Sequence, residues 1–291
     1  MVMTTTTQMS PELEQLLEQL QLEQLDQDMF LGDPGKGEGR LFGGMVLAQS
    51  VVAAYRTVED RTIHSFHAYF LRPGSHETPI RFLVQRIRDG RTFTTRDVIA
   101  YQSGEAIFQV SLSFTMPEEG VDDHQEPMPG HISPPEDCRP WQFPGMDRAT
   151  EKERERWHRK RPITVLDAAP GYNLRDGETP ERHVWLRMRG PLPEDEVVHA
   201  AMIAYASDTG LLSTARGVIA PGRRTSASLD HSVWFHHPPR FDDWLLYTSR
   251  SPVSHAARAL IYGELFRRDG IRAASVVQEG LIRAPKGKPQ G

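Results

Sequence analysis

The chain has 291 residues, 38% of them hydrophobic and 25% charged, with a formal net charge of −5; this is a globular composition, long enough for one large core or two ordinary ones. A mildly acidic chain offers no electrostatic attraction to nucleic acid or an anionic membrane, and no apolar run approaches the ~18 residues of a spanning helix. The single cysteine, Cys138, excludes an internal disulfide framework and a cysteine-rich zinc site.

Residues 1–10 read as a tail without the cationic start and apolar stretch of a secretory signal. Pro11 then opens a helix in which Leu13, Leu16, Leu17 and Leu20 share a stripe, while Leu22 and Leu25 drift off it. A glycine-rich loop, 32–44, runs into the apolar helix MVLAQSVVAAY. Four alternating runs follow, from RTIHSFHAYFL to EAIFQVSLSF, with turn signals at Pro73–Gly74, Asp89–Gly90 and Ser103–Gly104. From Pro117 to about Pro180 frequent prolines and the charge run EKERERWHRKR read as a surface-draped linker carrying one short helix. A strand-like ERHVWLRMRG, a second apolar helix with an acidic start, PEDEVVHAAMIAYASDTGLL, and four more strands complete the chain.

The second half repeats the first. Tyr69 to Pro73 correspond to Trp234 to Pro238, Arg96 to Arg258, and Gly104 to Gly270. One helix followed by antiparallel strands, without βαβ alternation, is α+β. The expected organisation is therefore an N-terminal unit at 1–117, a proline-rich linker at 118–180 and a C-terminal unit at 181–291. Pairing the two units edge to edge covers strands that each would otherwise expose.

Five segments in order carry a resemblance: LFGGMVLAQS, HSFHAYFLRPG, AYASD, SLDHSVWFHHP and SVVQEG. Together they make the chain resemble the acyl-CoA thioesterase II family along nearly its whole length. That resemblance implies a double hot-dog fold, two helices each wrapped by an antiparallel sheet, and hydrolysis of fatty acyl-CoA to free acid and CoA. It further implies a water activated by Asp208, Ser228 and Gln278, with no cofactor and no metal, and a homodimer or homotetramer. Thioester hydrolysis needs a water deprotonated as it attacks. Asp208, at the end of an apolar helix, is placed for its pKa to be raised by burial.

Other readings of these residues stand beside this one. Asp208 can cap its helix, Ser228 can be an ordinary strand residue, and Gln278 can lie on an edge. Gly43 and Gly44 can offer N–H groups to an acyl carbonyl or phosphate, or simply let helix and sheet approach closely. His64 is a competing base or substrate contact, though a structural role suits it as well. His231, His236, His237 and His255 lack metal-site spacing and read as structural, and there is no G-x-S-x-G elbow. An acyl-thioester hydratase of the same fold would carry histidine five residues after the aspartate, where this chain has Ser213. A non-catalytic acyl-CoA-binding protein would not need all three polar residues. The C-terminal APKGKPQG is not a peroxisomal address, and the expected location is the cytoplasm.

Overall fold

The computed structural model describes residues 8–142, 151, 160–169, 179–216 and 225–283. The N-terminal tail at 1–7 and most of the charge run, 152–159, lie outside the described residues.

Helix α1 (Pro11–Gln19) is capped by the Ser10 hydroxyl, which accepts from Leu13 N–H, and it buries Leu13 and Leu16 against the body. It ends at Gln19 with Leu20 as its C-cap, before the point where Leu22 and Leu25 drift off the leucine stripe. Leu22 is buried, and the next residues form a hairpin, β1 (Glu23–Asp26) and β2 (Met29–Gly32), whose second strand pairs with β4 (Ile80–Asp89). Ladder pairing with a distant strand takes over where the helical pattern fades. Helix α2 (Gly43–Tyr55) is buried over most of its length. Strands β3 (Thr62–Phe70), β4, β5 (Phe93–Gln102) and β6 (Glu105–Thr115) curve around it, with Phe66, Phe82, Val98, Val110 and Leu112 facing inward. The Ser103–Gly104 turn joins β5 to β6 with both residues at positive φ.

The region read as linker contributes strands. Beyond a 3₁₀ turn (Pro135–Asp137), β7 (Arg139–Pro140) and β8 (Ile163–Asp167) extend the sheet past β9 (Glu181–Met188). Met128, Ile132 and Cys138 cover an outer apolar cluster formed by Leu166, Trp185, Leu246 and Phe266. The prolines direct the chain across the sheet, but apolar residues on its outer face hold it there.

Helix α3 (Glu196–Ser207) packs beside α2, and α4 (Leu212–Arg216) follows it. Strands β10 (Thr225–Ser228), β11 (Asp230–Phe235), β12 (Leu245–His255), β13 (Arg258–Arg267) and β14 (Arg272–Arg283) complete the second half. Among the described residues all strands belong to one sheet, ordered β1-β2-β4-β5-β6-β3-β11-β14-β13-β12-β9-β8-β7, with β10 on β14.

The halves join where β3 and β11 pair antiparallel. His67 lies opposite Ser232, and its Nδ1 is 3.1 Å from Ser232 Oγ, the two residues being 165 positions apart. Tyr69 and Trp234, aligned by sequence, are separated by the same number. A residue that pairs with its own repeat equivalent marks a two-fold axis, so the repeat is also a spatial pseudo-symmetry. Following the ladders outward equates His231 with Phe66 and Gln278 with Leu112. It equates Arg96 with Ile261, not with Arg258. Arg96 is buried and binds Thr57 and Asp89, whereas Arg258 sits at a hairpin end on Glu279. The two arginines share a neighbouring sequence pattern but not a place in the sheet.

Candidate active site

Helices α2 and α3 run past each other, so the end of α3 meets the start of α2. Asp208 is the C-cap residue of α3, and its Oδ2 accepts the Gly44 N–H at 2.9 Å. A negative group here faces the positive end of the α2 dipole. The glycines make the approach possible. A Cβ at Gly43 would stand 2.9 Å from Asp208 Oδ2 and 2.6 Å from the Phe70 ring, and one at Gly44 would stand 2.7 Å from the Tyr205 carbonyl. Of the two roles open to these glycines, close packing is therefore met at both, and the Gly44 N–H is directed at Asp208.

Ser228, at the end of β10, lies beside the Asp208 carboxyl, close enough to favour its ionised form. Gln278 lies on β14, fully buried, and its Nε2 donates to Ser228 Oγ at 2.8 Å. The structure thus brings Asp208, Ser228 and Gln278 together from three elements, with Gln278 bonded to Ser228 and Ser228 beside the Asp208 carboxyl. Packed round by protein atoms, the Asp208 carboxyl is pushed up from 3.8 to about 7 by desolvation, against the opposing pull of the Gly44 and Ser228 hydrogen bonds.

The set continues beyond the three. Gln278 Oε1 is 2.6 Å from Nδ1 of His231, whose Nε2 is 2.8 Å from Ser207 Oγ. His231 is fully buried, and desolvation lowers its pKa to about 4. It was grouped from sequence with histidines of structural type, and its spacing carries no signal of the link to Gln278. The signal that exists is strand alternation, which points His231 inward on the face Gln278 also occupies.

His64 is not part of this set. Its Nε2 is 2.7 Å from Ser113 Oγ, and its ring meets Phe93 edge-on at 5.5 Å. It lies on β3 five residues from Tyr69, the partner of Asp230, or roughly 17 Å along the strand. Among the described residues no three histidine, cysteine, aspartate or glutamate side chains converge as metal ligands, and no helix is long and apolar enough to cross a membrane. Beside the start of α2, a pocket of mixed character has Leu41, Phe42 and Met45 in its walls together with Gln19, Lys36 and Lys160.

Two family models match the chain: acyl-CoA thioesterase N-terminal domain over residues 33–115, and acyl-CoA thioesterase over 158–281. The chain is 37% identical to acyl-coenzyme A thioesterase 8 of Mus musculus, across 93% of this chain and 88% of that one. It is 35% identical to acyl-CoA thioesterase 2 of Haemophilus influenzae, across 94% and 99%. Among solved structures it is similar to the acyl-CoA thioesterase II TesB2 of Mycobacterium marinum, with TM-score 0.76, 38% identity and coverage of 94% and 99%. A hot-dog-fold protein of Alicyclobacillus acidocaldarius, 19% identical, superposes with TM-score 0.75 over 93% of this chain and 98% of that one, a likeness of fold.

Proposed function

The chain belongs to the acyl-CoA thioesterase family, and from that premise we propose how its own residues carry out the reaction. It is a double hot-dog enzyme that hydrolyses acyl-CoA to a free acid and CoA. In this proposal Asp208 is the general base. Its carboxylate takes a proton from a water whose oxygen bonds to the thioester carbonyl carbon. The tetrahedral adduct then collapses, the carbon–sulfur bond breaks, and the departing thiolate takes up the proton that Asp208 had accepted. Ser228 and Gln278 hold the carboxylate and the water in line, and the oxyanion develops beside the positive end of α2.

The observation that carries this reading is the Asp208 carboxyl itself. It is raised to about 7 yet gripped by Gly44 and Ser228, which gives a base matched to neutral pH and fixed in direction. No covalent intermediate is needed. The substrate class is fatty acyl-CoA. The test is incubation with palmitoyl-CoA and a thiol reagent. Steady release of free thiol is expected, and its absence with intact enzyme overturns the reading.

The division into units 1–117 and 181–291 joined by 118–180 is part of the proposal, although the pairing of β8 with β9 favours a second boundary before Ile163. A cytoplasmic location is supported by the intracellular nature of the substrate. The outer face of the sheet carries Tyr69, Trp234 and Tyr262, 62%, 38% and 37% exposed, on strands near the join of the halves. Phe235, expected on this face, is buried instead; the exposed aromatic side chains that remain support a homodimer or a dimer of dimers with closed symmetry. Light scattering at micromolar concentration that gives a mass near the 32.9 kDa of one chain refutes the assembly.

A further inference from the structure

We propose that His231 is a positioning residue of this site: protonated on Nδ1, it fixes which way the Gln278 amide faces and so makes the Ser228 hydroxyl a donor to Asp208. The proposal rests on reading Asp208, Ser228 and Gln278 as the hydrolytic set and adds a fourth member, which acts through Gln278 without touching substrate.

Counting protons leads to this assignment. A carboxamide accepts only at Oε1 and donates only at Nε2. Gln278 presents Oε1 to His231 at 2.6 Å and Nε2 to Ser228 at 2.8 Å. Ser228 Oγ has one proton. When it accepts from Nε2, that proton is available to the Asp208 carboxylate, which can only accept. With the amide turned over, Oε1 would claim the Ser228 proton and the ionised carboxylate would lose its hydroxyl donor. Amide orientation therefore decides whether the base is held, and a histidine with hydrogen on Nδ1 tolerates only oxygen opposite it.

At its other ring nitrogen His231 must then accept. Nε2 is 2.8 Å from Ser207 Oγ, a hydroxyl also 2.9 Å from the Ala204 carbonyl. The Ala204 carbonyl and Nε2 compete for the single Ser207 proton; here it is assigned to the bond with Nε2, and Ser207 then starts a chain of donors that runs through His231, Gln278 and Ser228 to Asp208. Burial keeps the imidazole neutral, so it has one donor and one acceptor and the direction is not scrambled. Gln278 and His231 are both buried, so the direction of each link fixes that of the next.

The pseudo-symmetry argues that these polar atoms are not there for packing. At the equivalent positions of the first half, Phe66 replaces His231 and Leu112 replaces Gln278. The Phe66 and His231 rings stack at 6.2 Å with 24° between their planes. The fold needs a flat ring at this place, but only the half with the carboxylate carries nitrogen in it.

The test uses full-length enzyme with palmitoyl-CoA. His231→Phe, which keeps the ring, is expected to lower kcat about ten- to a hundredfold with KM held within roughly twofold. His231→Asn, whose amide can donate from the place of Nδ1, is expected to recover most of the rate. In a Gln278→Ala background His231→Phe is expected to cost nothing further. A His231→Phe enzyme above half the wild-type kcat, or one that loses the same factor with and without Gln278, overturns the proposal. If that variant does not fold, ¹⁵N spectra of histidine-labelled wild type at pH 8 decide, with His231→Asn identifying the signal. The Nδ1–H form is expected, and the Nε2–H form refutes the assignment. Failure of the underlying reading looks different, because Gln278→Ala itself would then keep the wild-type rate.

Discussion

The α2–α3 pair has two ends, related by the pseudo-two-fold, and they have been put to opposite uses. At one end α3 finishes in Asp208 and α2 begins with Gly43 and Gly44, so a carboxylate fits against a bare helix start. At the other end α2 finishes in Tyr55 and Arg56, and α3 begins with Glu196. There the Tyr55 hydroxyl donates to Glu196 Oε1 at 2.9 Å and accepts the Ile63 N–H at 2.9 Å, and Thr62 donates to Glu196 Oε2 at 3.1 Å. The Arg56 guanidinium turns away to the Leu22 carbonyl. The first end sets a desolvated carboxylate against bare glycines, whereas the second is filled by side chains and satisfied. One backbone arrangement therefore supports either chemistry or packing, depending on whether the incoming helix starts with glycine or with a side chain long enough to plug the gap.

The largest effect that would break this comparison is expected at Asp208. Asp208→Asn should lower kcat by at least ~10²-fold, as loss of a general base does, and a variant above half the wild-type rate would show the two ends to be equivalent in function. The same substitution should raise stability at pH 8. The folded-state pKa of about 7 lies above the ordinary 3.8, so folding favours the protonated form, and stability is lost as pH rises from the lower value through the upper. Asparagine has no charge to bury, and the gain is on the order of 1–4 kcal/mol in denaturant unfolding. No gain at pH 8, or an equal gain at pH 4, would mean the carboxyl is not held in an unfavourable environment.

Ser228 sharpens the contrast, since the ladders equate it with Ile63, and at the plugged end the neighbouring Thr62 hydroxyl is spent on Glu196. Ser228→Thr keeps the donor and should retain much of the activity, while Ser228→Ala should lose about tenfold or more. Mass spectrometry of quenched reactions should find no acyl adduct on Ser228, and an adduct would make it a nucleophile. The rate profile belongs to the same end: kcat/KM should climb with pH through about 7 and level off above it, because the base works only when ionised. A profile flat from pH 5 to 9 contradicts that role.

Smaller effects are expected at the plugged end. Tyr55→Phe removes a hydroxyl bonded to Glu196 and Ile63 and should cost about 1–3 kcal/mol of stability with kcat unchanged. A large loss of turnover with normal stability would mean this end also takes part in catalysis. Last, prolonged EDTA treatment should leave activity unaltered, and a loss restored by zinc or magnesium would point to a metal.

Much of this was readable in the chain before any coordinates. Alternation in HSFHAYFL and SVVQEGLIR and the apolar stretches of α2 and α3 reflect short-range geometry that each segment carries in itself. The order of motifs located Asp208, Ser228 and Gln278, because the resemblance is a property of sequence. Partnership across distance was decided only by the tertiary structure. His231 gives no hint alone that it faces Gln278, 47 residues away, nor do residues 23–26 that they form a strand paired with β2. Arg96 and Arg258 look alike in their local pattern and separate only when strand register is fixed. That Gly43 lets Asp208 come close likewise shows only in the fold, where the Asp208 oxygen is 2.9 Å from where a Gly43 Cβ would stand. Local propensity and pattern are written along the chain, whereas burial and hydrogen-bond direction depend on groups that only folding brings within 3 Å of each other.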